Sequence, residues 1–185
     1  MIRWIFAVFV ALAVLAPTLP AQATQDDPRL VRLFAALRTT QSSGWAQLVE
    51  QSIESIWIQT ADPETNRLME QGLTAMAADE AQAALTAFND VVKRQPKYAE
   101  GWNKRATVEY LLNQFDASVA DIQRTLQLEP RHFGALAGLG NIYLAQGNKE
   151  AAIKAFSAAL AIDPYLDGVK PLVDRLQREV NGDPI

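Results

Sequence analysis

The residue types best able to do chemistry stand together in one stretch, HFGALAGLGNIYLAQG at 132–147. It holds the only histidine of the chain and four of its nine glycines. A histidine beside a glycine-rich loop suggests a phosphate cradle or an acid–base site. A phosphate cradle needs its glycines on a turn between a strand and a helix, where backbone N–H groups meet the anion. Here Gly134, Gly138 and Gly140 give G-x-x-x-G-x-G, not G-x-G-x-x-G, and 117–128 before them reads as helix. A general-base histidine needs an orienting carboxylate and a nucleophile in reach, and no G-x-S-x-G motif accompanies His132. His132 is therefore read as a surface or packing residue, dispensable for binding. One histidine and no cysteine leave only carboxylates for a metal. Asp26-Asp27 and Asp79-Glu80 lack the spacing of a calcium loop and read as solvated charge. Trp45, Trp57 and Trp102 could stack a ligand, but all three are assigned to the core. No catalytic residue, metal or cofactor is expected.

The elements that would have to position any site set the next question. With 49% hydrophobic and 21% charged residues in 185, the chain is globular and long enough for a sizeable core. Absence of cysteine removes disulfides, thiolate sites, cysteine nucleophiles and a lipobox anchor. Arg3, an apolar run over 5–16, the breakers Pro17 and Pro20, and Ala21-Gln22-Ala23 read as a secretory signal cleaved after Ala23. A permanent span needs about 20 apolar residues, more than this run offers, so no membrane span is expected after cleavage. Loss of Arg3 makes the chain one unit more negative than its full-length net charge of −4. That balance argues against nucleic acid, which selects basic surfaces.

An internal period organises the rest. Pro96, Pro130 and Pro164 lie 34 residues apart, as do Gly72, Ala106 and Gly140. Ala84, Ser118 and Ala152 keep the same spacing, and so do Phe88, Ile122 and Phe156. On these residues the chain resembles the tetratricopeptide-repeat family, with its pattern W-x2-L-G-x2-Y, A-x3-F, P. The third repeat matches through Leu136, Leu139, Gly140, Tyr143, Ala152, Phe156 and Pro164. The second departs at Arg105 and Glu109, where apolar residues are usual, which suggests a looser first helix. The resemblance implies an all-α solenoid of about three helix–turn–helix units. Small residues at 140 and 152 let two helices approach. Pro164 ends the second helix. Asp79, Asp116 and Asn148 are candidate N-caps, and Gly147 suits the turn before Asn148.

The expected organisation is a signal at 1–23, a hairpin and linker at 24–63, repeats at 65–98, 99–132 and 133–164, and a capping helix and tail at 165–185. Leu30, Leu33, Phe34 and Leu37 follow helical spacing. So do Val49, Ile53, Ile56 and Trp57. This pair reads as a divergent hairpin stacked on the first repeat, covering the end of the solenoid. Val169, Leu172, Val173, Leu176 and Val180 mark the last helix, and NGDPI after it is expected to fray.

The signal and the leading hairpin together resemble small exported bacterial repeat proteins, which implies a periplasmic, non-catalytic scaffold for an unidentified protein or peptide. The family resemblance places the first helices of the repeats along a concave groove. It assigns to that groove Asn66, Met69, Leu73 and Met76, then Asn103, Lys104, Thr107 and Tyr110, then Ala137, Asn141 and Leu144. Met69 and Leu73 stand where a clamp for a peptide's terminal carboxylate needs lysine and asparagine, which argues against chaperone-tail recognition. The mixed groove suits an amphipathic helix or an extended segment. Self-association into a structural assembly is the alternative.

Overall fold

A computed structural model of the chain describes residues 24–182. The expected signal and the last residues of the expected tail, 183–185, lie outside the described residues. Within them the protein is all helix. A 3-10 turn at Thr24–Asp26 leads into α1 (Arg29–Thr39) and α2 (Ser43–Trp57). Then follow α3 (Pro63–Ala77), α4 (Ala81–Arg94), α5 (Ala99–Leu111), α6 (Phe115–Leu128), α7 (Phe133–Ala145), α8 (Lys149–Ile162) and α9 (Val169–Asn181). The pairs α3–α4, α5–α6 and α7–α8 are the three repeats, stacked in order. α9 packs Val173 and Leu176 onto Ala152 and Phe156, closing the C-terminal end.

Inside each repeat the helices meet where a side chain is missing. A Cβ on Gly72 would lie 2.5 Å from the Phe88 ring, and one on Gly140 2.6 Å from the Phe156 ring. In the second repeat Ala106 takes this place opposite the smaller Ile122, and the Ser118 hydroxyl donates to the Ala106 carbonyl at 2.7 Å. The turn that follows is the same each time. Asp79, Asn113 and Gly147 adopt φ of 59°, 58° and 76°. The next residue donates its N–H back across the turn, Glu80 to Ala75, Gln114 to Glu109 and Asn148 to Tyr143, each at 2.8 Å. These are Schellman closures, which use a left-handed residue to satisfy the last carbonyls of a helix.

Three sequence expectations are corrected here. Asn148 caps α8 through Ala151 N–H, but Asp79 is the left-handed turn residue and Asp116 lies inside the first turn of α6. The caps of α4 and α6 are Glu80 and Gln114, which make no side-chain cap bond. Nor do Arg105 and Glu109 leave the second repeat without a tie. The Arg105 fork grips both oxygens of the buried Asp121 at 2.6 and 2.7 Å, holds Asn89 at 3.0 Å and lies over the Trp102 ring. Of the three tryptophans only Trp57 is core: Trp45 is 55% exposed, and Trp102 is half-buried with its indole N–H on the Pro96 carbonyl.

The largest departure is the leading hairpin. It does not stack on the end of the first repeat. Its core of Leu30, Phe34, Leu37, Val49, Ile53 and Trp57 closes against Phe133, Ile162, Tyr165 and Leu166 of the third repeat and the turn after it. Gln25 donates to the Lys97 carbonyl at 2.7 Å, and the Tyr165 hydroxyl donates to the Thr40 carbonyl at 2.9 Å. The hairpin thus lies along the edge formed by the inter-repeat turns and the first turns of α5 and α7. Only Ile58, just past α2, joins the core of the first repeat.

Candidate functional site

The place where the hairpin meets the repeats holds the densest chemistry among the described residues. Trp57 ends α2 and is 2% exposed. Its indole stacks on His132 with centroids 4.2 Å apart and planes 13° from parallel. His132 is 3% exposed and caps α7, its Nδ1 accepting Ala135 N–H at 3.1 Å. That places the ring proton on Nε2, an assignment from the hydrogen-bond pattern. Nε2–H then donates to Glu100 at 2.7 Å. Glu100, in the first turn of α5, also receives Lys104 at 3.0 Å and the Asn103 amide at 3.1 Å. Burial pushes the Glu100 carboxyl up, but Lys104 and His132 outweigh this and hold it well below the usual range. In turn the Glu100 charge raises Lys104.

These groups line a cavity of about 460 Å³ with Gln51, Glu54 and Ser55 of α2 and Thr107 of α5. Glu54 brings a second carboxylate; burial raises its pKa, Lys104 opposes this and Glu100 adds to it. A carboxylate and an imidazole at 2.7 Å look like half of a catalytic relay. Both ring nitrogens are committed, however, one to a helix cap and one to Glu100, so no face is free to take a proton from a substrate. The arrangement is suited to holding α2, α5 and α7 together.

The groove residues read from the sequence divide by place. Asn103, Lys104 and Thr107 line the cavity just described, the first two partly buried beside the hairpin and Thr107 exposed. Asn66, Met69 and Leu73 line a second, more apolar one of about 470 Å³ with Ile58, Gln59, Thr74 and Ala77. The side chain of Asn66 bonds both the N–H and the carbonyl of Thr60 at 2.8 Å, which fixes the chain entering α3. Met69 is 2% exposed and serves the core, with Met76 packed against it. Tyr110 rests on Phe115 at 5.9 Å. Ala137 and Leu144 pack toward α9, and Asn141 stands exposed on α7. The structure therefore divides the first two groups between two cavities that share Ile58, and Asn141 lines neither. Sequence reasoning placed Trp57 in the core, where it is, and missed Glu100 and Glu54. Glu100 follows Tyr98 and Ala99, and all three are buried, which the sequence does not mark.

A stack of three helical hairpins is a repeat-protein architecture, and comparison with known sequences and structures agrees. The tetratricopeptide-repeat family model matches residues 69–118 and 104–167. The chain belongs to the tetratricopeptide-repeat family. A TPR repeat-containing protein of Rhizobium etli is 31% identical over 154 residues, covering 83% of this chain and 76% of that protein. Among solved structures, MamA superposes with a TM-score of 0.59 at 20% identity, over 85% of this chain and 84% of that one. The first repeat domain of Spaghetti (RPAP3), bound to the HSP90 peptide SRMEEVD, gives 0.60 at 16% identity, over 64% and 94%.

Proposed function

We propose that this chain is an exported, non-catalytic scaffold that holds a peptide or helix of a protein partner in its groove. The observation that carries the reading is the pair of neighbouring cavities along the first helices. One is apolar, floored by Met69 and Leu73; the other offers the amide, ammonium and hydroxyl of Asn103, Lys104 and Thr107. An amphipathic helix has the two faces this combination needs. The repeat domain of RPAP3, solved with an HSP90 peptide, supports peptide binding by this fold. With Met69 and Leu73 at the clamp positions, the partner presents apolar side chains rather than an acidic chain terminus. The signal-like order of Arg3, apolar run and Ala21-Gln22-Ala23 supports export to the periplasm.

Photo-crosslinkers placed in living cells at Leu73, Thr107 and, as a convex control, the exposed Gln123 of α6 test the groove. The expected result is one common partner from Leu73 and Thr107 and none from Gln123. Equal capture at all three would end the groove reading. For export, N-terminal sequencing of the periplasmic fraction is expected to begin at Thr24, and an intact Met1 there would refute cleavage.

A further inference from the structure

Two carboxyl groups meet at the seam between the hairpin and the third repeat. Asp163 follows α8 and is 0% exposed. Its Oδ1 accepts Tyr165 N–H at 2.9 Å, while Oδ2 is buried with no N–H or hydroxyl donor on it. The group beside it is the carboxyl of Glu50, from the middle of α2. An ionised Glu50 has no hydrogen to give; a protonated one satisfies the buried oxygen.

The charges that act most strongly on Glu50 have one sign: Asp163 after α8, Glu54 on α2 itself, and Asp167 in the turn before α9. Lys104 and Arg131 are committed to other carboxylates, Lys104 to Glu100 at 3.0 Å and Arg131 to Glu129 at 2.7 Å. Two carboxyls in contact, in a field of like charge and without a cation, hold one proton between them. The rest of the seam is apolar contact from Ile162, Tyr165 and Leu166, plus the phenol bond to Thr40.

We propose that the α1–α2 hairpin is a proton-latched cover: a proton shared by Glu50 and Asp163 holds it down, and loss of that proton loosens it from Asn103, Lys104 and Thr107. Burial first, and then Asp163, lift the Glu50 carboxyl from 4.5 to about 7. A carboxyl whose pKa is raised on docking stabilises the docked state fully below 4.5, and that stabilisation is gone above about 7. The cover is therefore firm in acid and looser from neutrality upward. What is uncovered matters through the groove reading above, but the latch itself does not depend on it.

Hydrogen exchange of the full chain, read by mass spectrometry and normalised to intrinsic rates, tests the latch without any partner. α2 is compared with α4, which lies away from the seam. The full shift would lower protection of α2 about twentyfold between roughly pH 5.5 and 7.5. Glu50 is half-buried, so water screens part of this, and a fall of at least about threefold is expected. In Glu50→Gln the amide donates at every pH, and the α2 profile becomes flat. Asp163→Asn keeps the acceptor for Tyr165 and gives Glu50 a permanent donor, so it also flattens the profile. A flat profile in the parent, a parent-like slope in both variants, or a fall of α2 no larger than that of α4 would each overturn the latch. Crosslinking at Thr107 that fails while the latch behaves as expected would refute only the groove reading.

Discussion

A Cβ on Gly140 would press against three atoms of the Phe156 ring at 2.6 to 2.7 Å, and the ring is 1% exposed with nowhere to turn. Gly140→Leu should therefore cost at least the roughly 1–3 kcal/mol of an overpacked core, and a urea titration equal to the parent's would contradict it. His132 is the second residue whose loss should be felt. His132→Ala removes the Trp57 stack, the α7 cap and one partner of the buried Glu100, while Lys104 remains. A destabilisation of about 2–3 kcal/mol is expected, between the cost of a lost cap and that of a broken buried pair. Its measure is the same titration. Composition and spacing correctly excluded His132 from a phosphate loop, but they could not reveal its burial. Its partners Glu100 and Trp57 lie on other elements, and nothing local in the sequence marks a contact made across three helices.

At the scale of the element, the 34-residue period specifies more than helices. It places a left-handed residue at 79, 113 and 147, and only the last is glycine. Asp79→Gly should relieve backbone strain and raise stability by about 0.5 kcal/mol, net of the added freedom of the unfolded chain. A fall in thermal midpoint would count against the turn geometry. In the second repeat the family pattern is broken in a way that repairs itself. Arg105 is paid for by Asp121, and restoring the pattern with Arg105→Leu alone should destabilise by about 3 kcal/mol, because Asp121 and Glu109 would stay buried without their cation. Far-ultraviolet circular dichroism against urea would show it. The repeat register, the helix order and the capping helix were all readable from spacing, since each depends on residues a few turns apart. The caps at 79 and 116 were misread because acidic residues near a helix start suit either side of the turn, and only backbone geometry separates the two.

Over the whole molecule, two raised carboxyls, the half-buried Glu50 and the buried Glu109, act together on the pH response. Glu50 and Glu109 are both raised to about 7, chiefly by burial. Stability linked to them is full below 4.5 and lost as pH rises through 7. Asp62, held down by Arg94, and Glu179, held down by Lys149, act in the opposite sense. Their contribution is present above the ordinary carboxylate range and lost on acidification. Thermal midpoints should thus peak near about pH 5 and fall toward both pH 3 and 8; a midpoint rising from pH 5 to 8 would contradict the buried pairs. The seat of the hairpin was not legible in the sequence, because apolar helices that end a stack and apolar helices that fold over its edge carry the same pattern. Its position has a consequence in time. Thr40 and Tyr165 are 125 residues apart, so as the chain is made from its N-terminus, the hairpin exists long before the surface that receives it. The repeats can close locally as each turn completes, whereas the hairpin waits for nearly the last residues. The cavity beside Asn103 and Lys104 is therefore open when the repeats close and is covered only afterwards.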